Sequence, residues 1–178
     1  MELESGEAVT LLGEANGYQL LEGGRRLLFV DRGWGFIPTL RFVLGLLAFI
    51  FGINGLIFGI TASLPAGGVL LGLATVFGVA LQQTFPYLER RRAAPVKKSE
   101  VLAIVARDEG KLLDGEGQAL ADLSTVRFAP AMQLTSSASA LEASYAGGKL
   151  VVARGNPLSG SIDEILDALK RAGLRTSQ

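Results

Sequence analysis

The stretch FVLGLLAFIFGINGLIFGITASLPAGGVLLGLATVFGVALQQTFPYL, Phe42 to Leu88, contains no Asp, Glu, Lys or Arg. A bilayer core about 30 Å thick requires roughly 20 apolar helical residues, each adding about 1.5 Å. Both halves of the stretch satisfy that length, the first from about Ile37 to Ala62 and the second from about Gly68 to Tyr87. Ser63-Leu64-Pro65-Ala66-Gly67 lies between them and reads as a turn, with Pro65 and Gly67 interrupting the helical run. The prediction is a transmembrane hairpin over residues 36–88. A secretory signal fits poorly, because the apolar run starts late, exceeds a signal core in length and is followed by a second span.

Cations flank the hairpin on both sides: Arg25, Arg26, Arg32 and Arg41 before it, and Arg90, Arg91, Arg92, Lys97 and Lys98 after it. The turn has none. The positive-inside rule then predicts a two-pass protein of the cytoplasmic (inner) membrane with both termini cytoplasmic. Trp34, Phe36, Phe85 and Tyr87 stand where an interfacial aromatic belt is expected, and Arg41 is close enough to the end of the span to snorkel. Residues 89–99 read as a basic linker, and Arg90, Arg91, Arg92, Lys97 and Lys98 are candidates for contact with anionic lipid headgroups.

Small residues recur along the first helix at Gly45, Ala48, Gly52, Gly55 and Gly59, at spacings of three and four that place them on one face. Gly68, Gly72 and Gly78 do the same on the second. Helices in lipid gain dispersion contacts where small residues let their backbones approach, so these positions serve packing within the hairpin or docking of another subunit or protomer. Asn54 is the strongly polar side chain at depth. It is expected to meet a backbone carbonyl of the second helix or of a partner helix. With no ionisable side chain inside the span, an ion relay has no carrier.

Outside the hairpin, residues 1–35 begin with an acidic segment and continue as AVTLLGE, YQLLE and RRLLFVD, separated by Asn16-Gly17 and Gly23-Gly24. Short apolar runs between such dipeptides predict a three-stranded antiparallel meander, with an interfacial helix as the alternative for RRLLFV. Residues 100–178 predict about five strands: VLAIVARD, KLLD, QALADL as a strand or helical turn, and the β-rich STVRFAPAMQLTS and ALEASYAGGKLVVARG. Ser136 to Ser139 and Gly147-Gly148 are read as connections. The chain ends in an amphipathic helix with Ile162, Ile165, Leu166 and Leu169 on one face. Ser161-Ile162-Asp163-Glu164 reads as its capping box and Gly173 as its stop. The meander could belong to the same sheet as the C-terminal strands.

Seventeen basic and seventeen acidic residues give no formal net charge, which argues against a nucleic-acid partner. Cys and His are absent. That removes disulfides, thiol nucleophiles, imidazole bases and Cys/His metal sites, and DEGKLLDGEGQ lacks the ligand spacing of a calcium loop. No cofactor, metal or catalytic residue is expected, and the chain reads as a non-enzyme. One loop deserves a weak anion-site assignment, Arg154 with Ser159, Gly160 and Ser161 ahead of the closing helix. It has neither the Gly-Lys-Ser/Thr ending of a P-loop nor a dinucleotide fingerprint.

ALADLSTVRF and SIDEILDALKRAGL, on short strands closed by a helix and attached to a membrane hairpin, resemble segments of bacterial membrane proteins with a pleckstrin-homology-like domain. The resemblance spans Glu100 to Leu174 and implies a PH-like barrel or sandwich and, with it, a lipid-headgroup-binding module. The layout of a hairpin followed by a β domain is also similar to that of the photosystem I assembly factor family. The expected fold class is therefore an α+β membrane protein. Its expected role is an accessory or scaffold subunit whose partners are the lipid bilayer and a membrane protein or a second copy of itself.

Overall fold

A computed structural model describes residues 8–133, 136–157 and 161–177. The chain forms two compact units, Phe36–Arg92 as one and Met1–Gly35 with Ala93–Gln178 as the other.

The first unit is a pair of long apolar helices, α1 (Ile37–Thr61) and α2 (Leu64–Ala93), each long and apolar enough to cross a membrane. The connection is shorter than the sequence suggests. Pro65 sits in the first turn of α2, where a missing N–H removes no helical bond, so Leu64 to Gly67 are helical rather than a loop. At the other end α2 runs past Pro86 and takes in Arg90, Arg91 and Arg92, whose charges favour the negative end of the helix dipole. Four polar side chains in this unit bond to their own helix. Asn54 Nδ2 donates to the Ile50 carbonyl at 2.8 Å, Thr61 Oγ1 to Ile57 at 2.7 Å, Thr75 Oγ1 to Leu71 at 2.9 Å and Thr84 Oγ1 to Leu81 at 2.7 Å. Among the described residues Asn54 thus bonds its own helix one turn back and not α2, a bond that meets one hydrogen of its amide.

Among the described residues the second unit contains nine strands in two antiparallel sheets. β1 (Thr10–Ala15), β2 (Tyr18–Gly23) and β3 (Arg26–Asp31) make the expected meander. β3 then pairs with β4 (Val101–Ala106), and β5 (Lys111–Asp114) and β6 (Ala119–Asp122) complete a six-stranded sheet in sequence order. Both ends of the chain thus build one sheet, and the helical unit is an insertion between β3 and β4. β7 (Arg127–Gln133), β8 (Ser136–Tyr145) and β9 (Gly148–Arg154) form the second sheet. The serine-rich stretch read as a connection lies inside β8, and QALADL supplies a strand, not a helical turn. Among the described residues the sheets remain open and do not close into a barrel.

The shared core follows from period-two alternation. Leu20, Leu27, Phe29, Val105 and Leu112 from the large sheet meet Phe128, Leu141 and Val152 from the small one, and the Phe29 and Phe128 rings stack at 5.7 Å. Burying each such side chain contributes about 1.5–3 kcal/mol. Helix α3 (Asp163–Arg171) closes this core with Ile165, Leu166, Ala168 and Leu169, and packs on β1. A β-bulge places Gly13 under it, where an added Cβ would stand 3.0 Å from the Glu164 carbonyl oxygen. The expected capping box does not form. Ile162 takes the cap position, and Ser161 Oγ bonds Asp163 through both its carboxylate and its amide, so Glu164 closes no reciprocal bond. The other end is as expected: Gly173 is left-handed at φ 76°, with Leu174 N donating to Leu169 O and Gly173 N to Lys170 O. The tail then returns beside β7 through Phe128.

Candidate functional site

Three places carry the sequence candidates: the helix–helix seam, the neck where the β unit's two chain segments meet, and a cleft between the sheets.

Along the seam, Gly45, Gly52, Gly55 and Gly59 face α2. Cβ atoms built on them would stand 3.8 Å from Leu81, 3.9 Å from Ala74, 2.9 Å from Leu71 and 3.9 Å from Gly67, respectively. The tightest approach belongs to Gly67, where an added Cβ would be 2.5 Å from Gly59 Cα and 2.7 Å from the Gly55 carbonyl oxygen. Pro65 beside it disguised this residue as part of a turn. Phe51 stacks on Phe77 at 5.6 Å, and Arg41 lies 3.6 Å over the Phe85 ring. Gly68, Gly72 and Gly78 take no part in the seam, having no atom within 4 Å of an added Cβ. Ala48 is half-buried on the first helix.

At the neck, alternation along β3 carries Arg32 to the face of Leu28 and Val30, opposite the shared core. That face is covered by Val96 and its neighbours. Arg32 is 1% exposed. Its Nη1 donates to Glu100 Oε2 at 2.8 Å and to the Pro95 carbonyl at 3.3 Å, its Nη2 donates to the Ala94 carbonyl at 2.7 Å, and the guanidinium lies 5.6 Å from the Trp34 ring. Glu100 also accepts from Lys97 N at 3.2 Å. Arg32, which the sequence groups with the cations flanking the hairpin, is therefore a buried clamp, and Trp34, 2% exposed, belongs to the β unit. Period-two reading of Leu28, Val30 and Arg32 was the available signal. Arg90, Arg92, Lys97 and Lys98 are exposed and Arg91 is half-buried.

The cleft encloses about 650 Å³ between the ends of β2 and β3 and the end of β9. Asn16, Tyr18, Asp31, Gln133, Arg154 and Asn156 contribute its polar walls. Tyr18 and Asp31 are direct cross-strand partners, and the Tyr18 hydroxyl donates to the Asp31 carboxylate, which also accepts from Gly33 N at 2.8 Å. Burial pushes the Tyr18 hydroxyl above its ordinary value of 10.0, with the negative charge and hydrogen bond of Asp31 adding to the rise and Arg154 opposing it. Gln133 Nε2 fixes the opposite wall by donating to Ala138 O at 2.8 Å and Gly155 O at 3.1 Å. Arg154 is exposed and makes no ion pair or side-chain hydrogen bond among the described residues.

Of the weak anion-site candidates, Arg154 thus faces this cleft instead of a helix terminus. Ser161 is exposed at the start of α3 and engaged with Asp163, while Ser159 and Gly160 lie outside the described residues. Among the described residues no three acidic side chains converge as a metal centre. Compared with known proteins, the chain matches no protein family, no curated protein and no solved structure.

Proposed function

We propose that the chain is a two-pass protein of the cytoplasmic membrane that acts as a non-catalytic accessory or scaffold subunit, with α1 and α2 in the bilayer and the β unit on the cytoplasmic side. The observation that carries this reading is the insertion of the hairpin into a single sheet. A helical pair that leaves from β3 and returns to β4 must begin and end on the same side of any membrane it crosses. The cations near both ends make that side the cytoplasmic one. Helix α1, with 25 residues, is about 37 Å long, enough for a hydrocarbon core. Its outward surface, including Phe49, Leu56, Ile57 and Ile60, is apolar and exposed, as is that of Val69 and Val76 on α2. Such a surface is soluble only in lipid or against another protein.

The experiment is extraction from native membranes into nanodiscs, followed by mass spectrometry of what co-migrates. A stoichiometric membrane-protein partner is the expected result. A protein that runs alone overturns the accessory reading.

The exposed cations Arg90, Lys97 and Lys98 favour a second reading, a PH-like module that holds anionic headgroups at the membrane surface. Protein in nanodiscs that enriches anionic lipid at low salt, and loses the enrichment as salt rises, would support it.

A further inference from the structure

We propose that the cleft between the two sheets binds a zwitterionic aminoalkyl phosphate, the chemistry of phosphoethanolamine, with its phosphate on Arg154 and its ammonium on Asp31. A guanidinium presents paired N–H donors that match phosphate oxygens, and Arg154 has no ion pair or side-chain hydrogen bond among the described residues to compete for them. Asp31 accepts from Gly33 N at 2.8 Å and stands directly across from Tyr18 in the sheet, which holds the carboxylate in place before any ligand arrives. Asp31 and Arg154 line the same cleft. They nevertheless form no ion pair with each other, and the open space between the walls, about 650 Å³, lies within the range of small-molecule sites.

The pairing of charges selects the ligand. A purely anionic group would satisfy Arg154 but meet repulsion from Asp31, and an amine alone would leave Arg154 unused. A molecule carrying both, separated by a short alkyl link, satisfies the two together. The headgroup of an aminoalkyl phospholipid and the free phosphoester share this chemistry. The lipid form alone rests on the membrane reading above.

The test uses the full chain. Protein in lipid-free nonionic detergent is titrated with O-phosphoethanolamine by calorimetry, and protein in nanodiscs of mixed phosphatidylethanolamine and phosphatidylglycerol is examined by native mass spectrometry for retained lipid. Saturable binding of O-phosphoethanolamine, weakened about tenfold or more by Arg154→Ala and by Asp31→Asn, is expected. Asp31→Asn keeps an oxygen for Gly33 N, and unchanged circular dichroism of each variant separates lost binding from lost folding. Retention of phosphatidylethanolamine assigns the site to the lipid; binding of the soluble ester without that retention assigns it to the free phosphoester. Inorganic phosphate binding as tightly as the ester, with no effect of Asp31→Asn, overturns the zwitterion assignment, and absence of ester binding and lipid retention overturns the site. Alkaline carbonate extraction reports separately on membrane insertion.

Discussion

In the helical unit, the side chains that could misbehave in an apolar medium are satisfied within one turn: Asn54 by Ile50, Thr61 by Ile57, Thr75 by Leu71. In the β unit some side-chain bonds join distant parts of the chain, with Arg32 reaching Glu100 across 68 residues. The two regions also bury different things. The β unit removes Phe29, Leu112, Phe128 and Ile165 from solvent, whereas the seam of the hairpin brings backbone against backbone at Gly59 and Gly67 and leaves its apolar side chains outward. A region that water surrounds is stabilised by hiding apolar surface; one suited to lipid has no such drive and relies on close approach.

The largest effect on this contrast comes from separating the halves of the β unit. A fragment of residues 93–178 lacks β3, the neighbour of β4, and β1, the support of α3. It is expected to show no cooperative unfolding transition, and adding residues 8–35 through a flexible linker in place of the hairpin should restore one. A fragment that folds by itself would break the single-unit description. Next in size is Arg32→Ala. Removing one partner of a buried charge pair costs about 3–5 kcal/mol, so the urea midpoint of the β unit should fall accordingly while helix content at residues 37–93 persists. A smaller and more local effect distinguishes two adjacent glycines. Gly67→Leu forces overpacking against Gly59, at about 1–3 kcal/mol, and should lower the resistance of the hairpin to sodium dodecyl sulfate titration; Gly68→Leu, with open space around it, should not.

The hairpin was readable because its signal is local and additive: nearly fifty residues without a charge, with glycines at helical spacing. The strands of the meander and the apolar face of α3 were readable for the same reason. The features without a local signal depend on position or on partners at a distance. Gly67 was grouped with Pro65 as a breaker, although proline in a first turn breaks nothing, and the residue that touches Gly59 was placed in a loop. Arg32 was counted with the flanking cations because the carboxylate that holds it stands on the other side of the hairpin in sequence. Arg154 reads in the sequence as part of the loop that follows it, whereas the cleft it lines also holds Tyr18 and Asp31, which come from the opposite end of the chain. Ser161 and Glu164 have the spacing of a reciprocal cap, yet Asp163 intercepts the serine hydroxyl.

The sequence order of the six-stranded sheet has a consequence for synthesis. β3 is finished at Asp31, and its partner begins only at Val101. At ribosomal speeds of about 5–20 residues per second, the meander waits roughly 4–14 s with an unpaired edge while the intervening helices are made. That edge closes only when Val101–Ala106 arrives in the same compartment as Arg26–Asp31. On the proposed two-pass topology, completion of the sheet would double as a readout of successful return: a second helix that failed to come back would strand β4 on the far side and leave the meander with an open β edge.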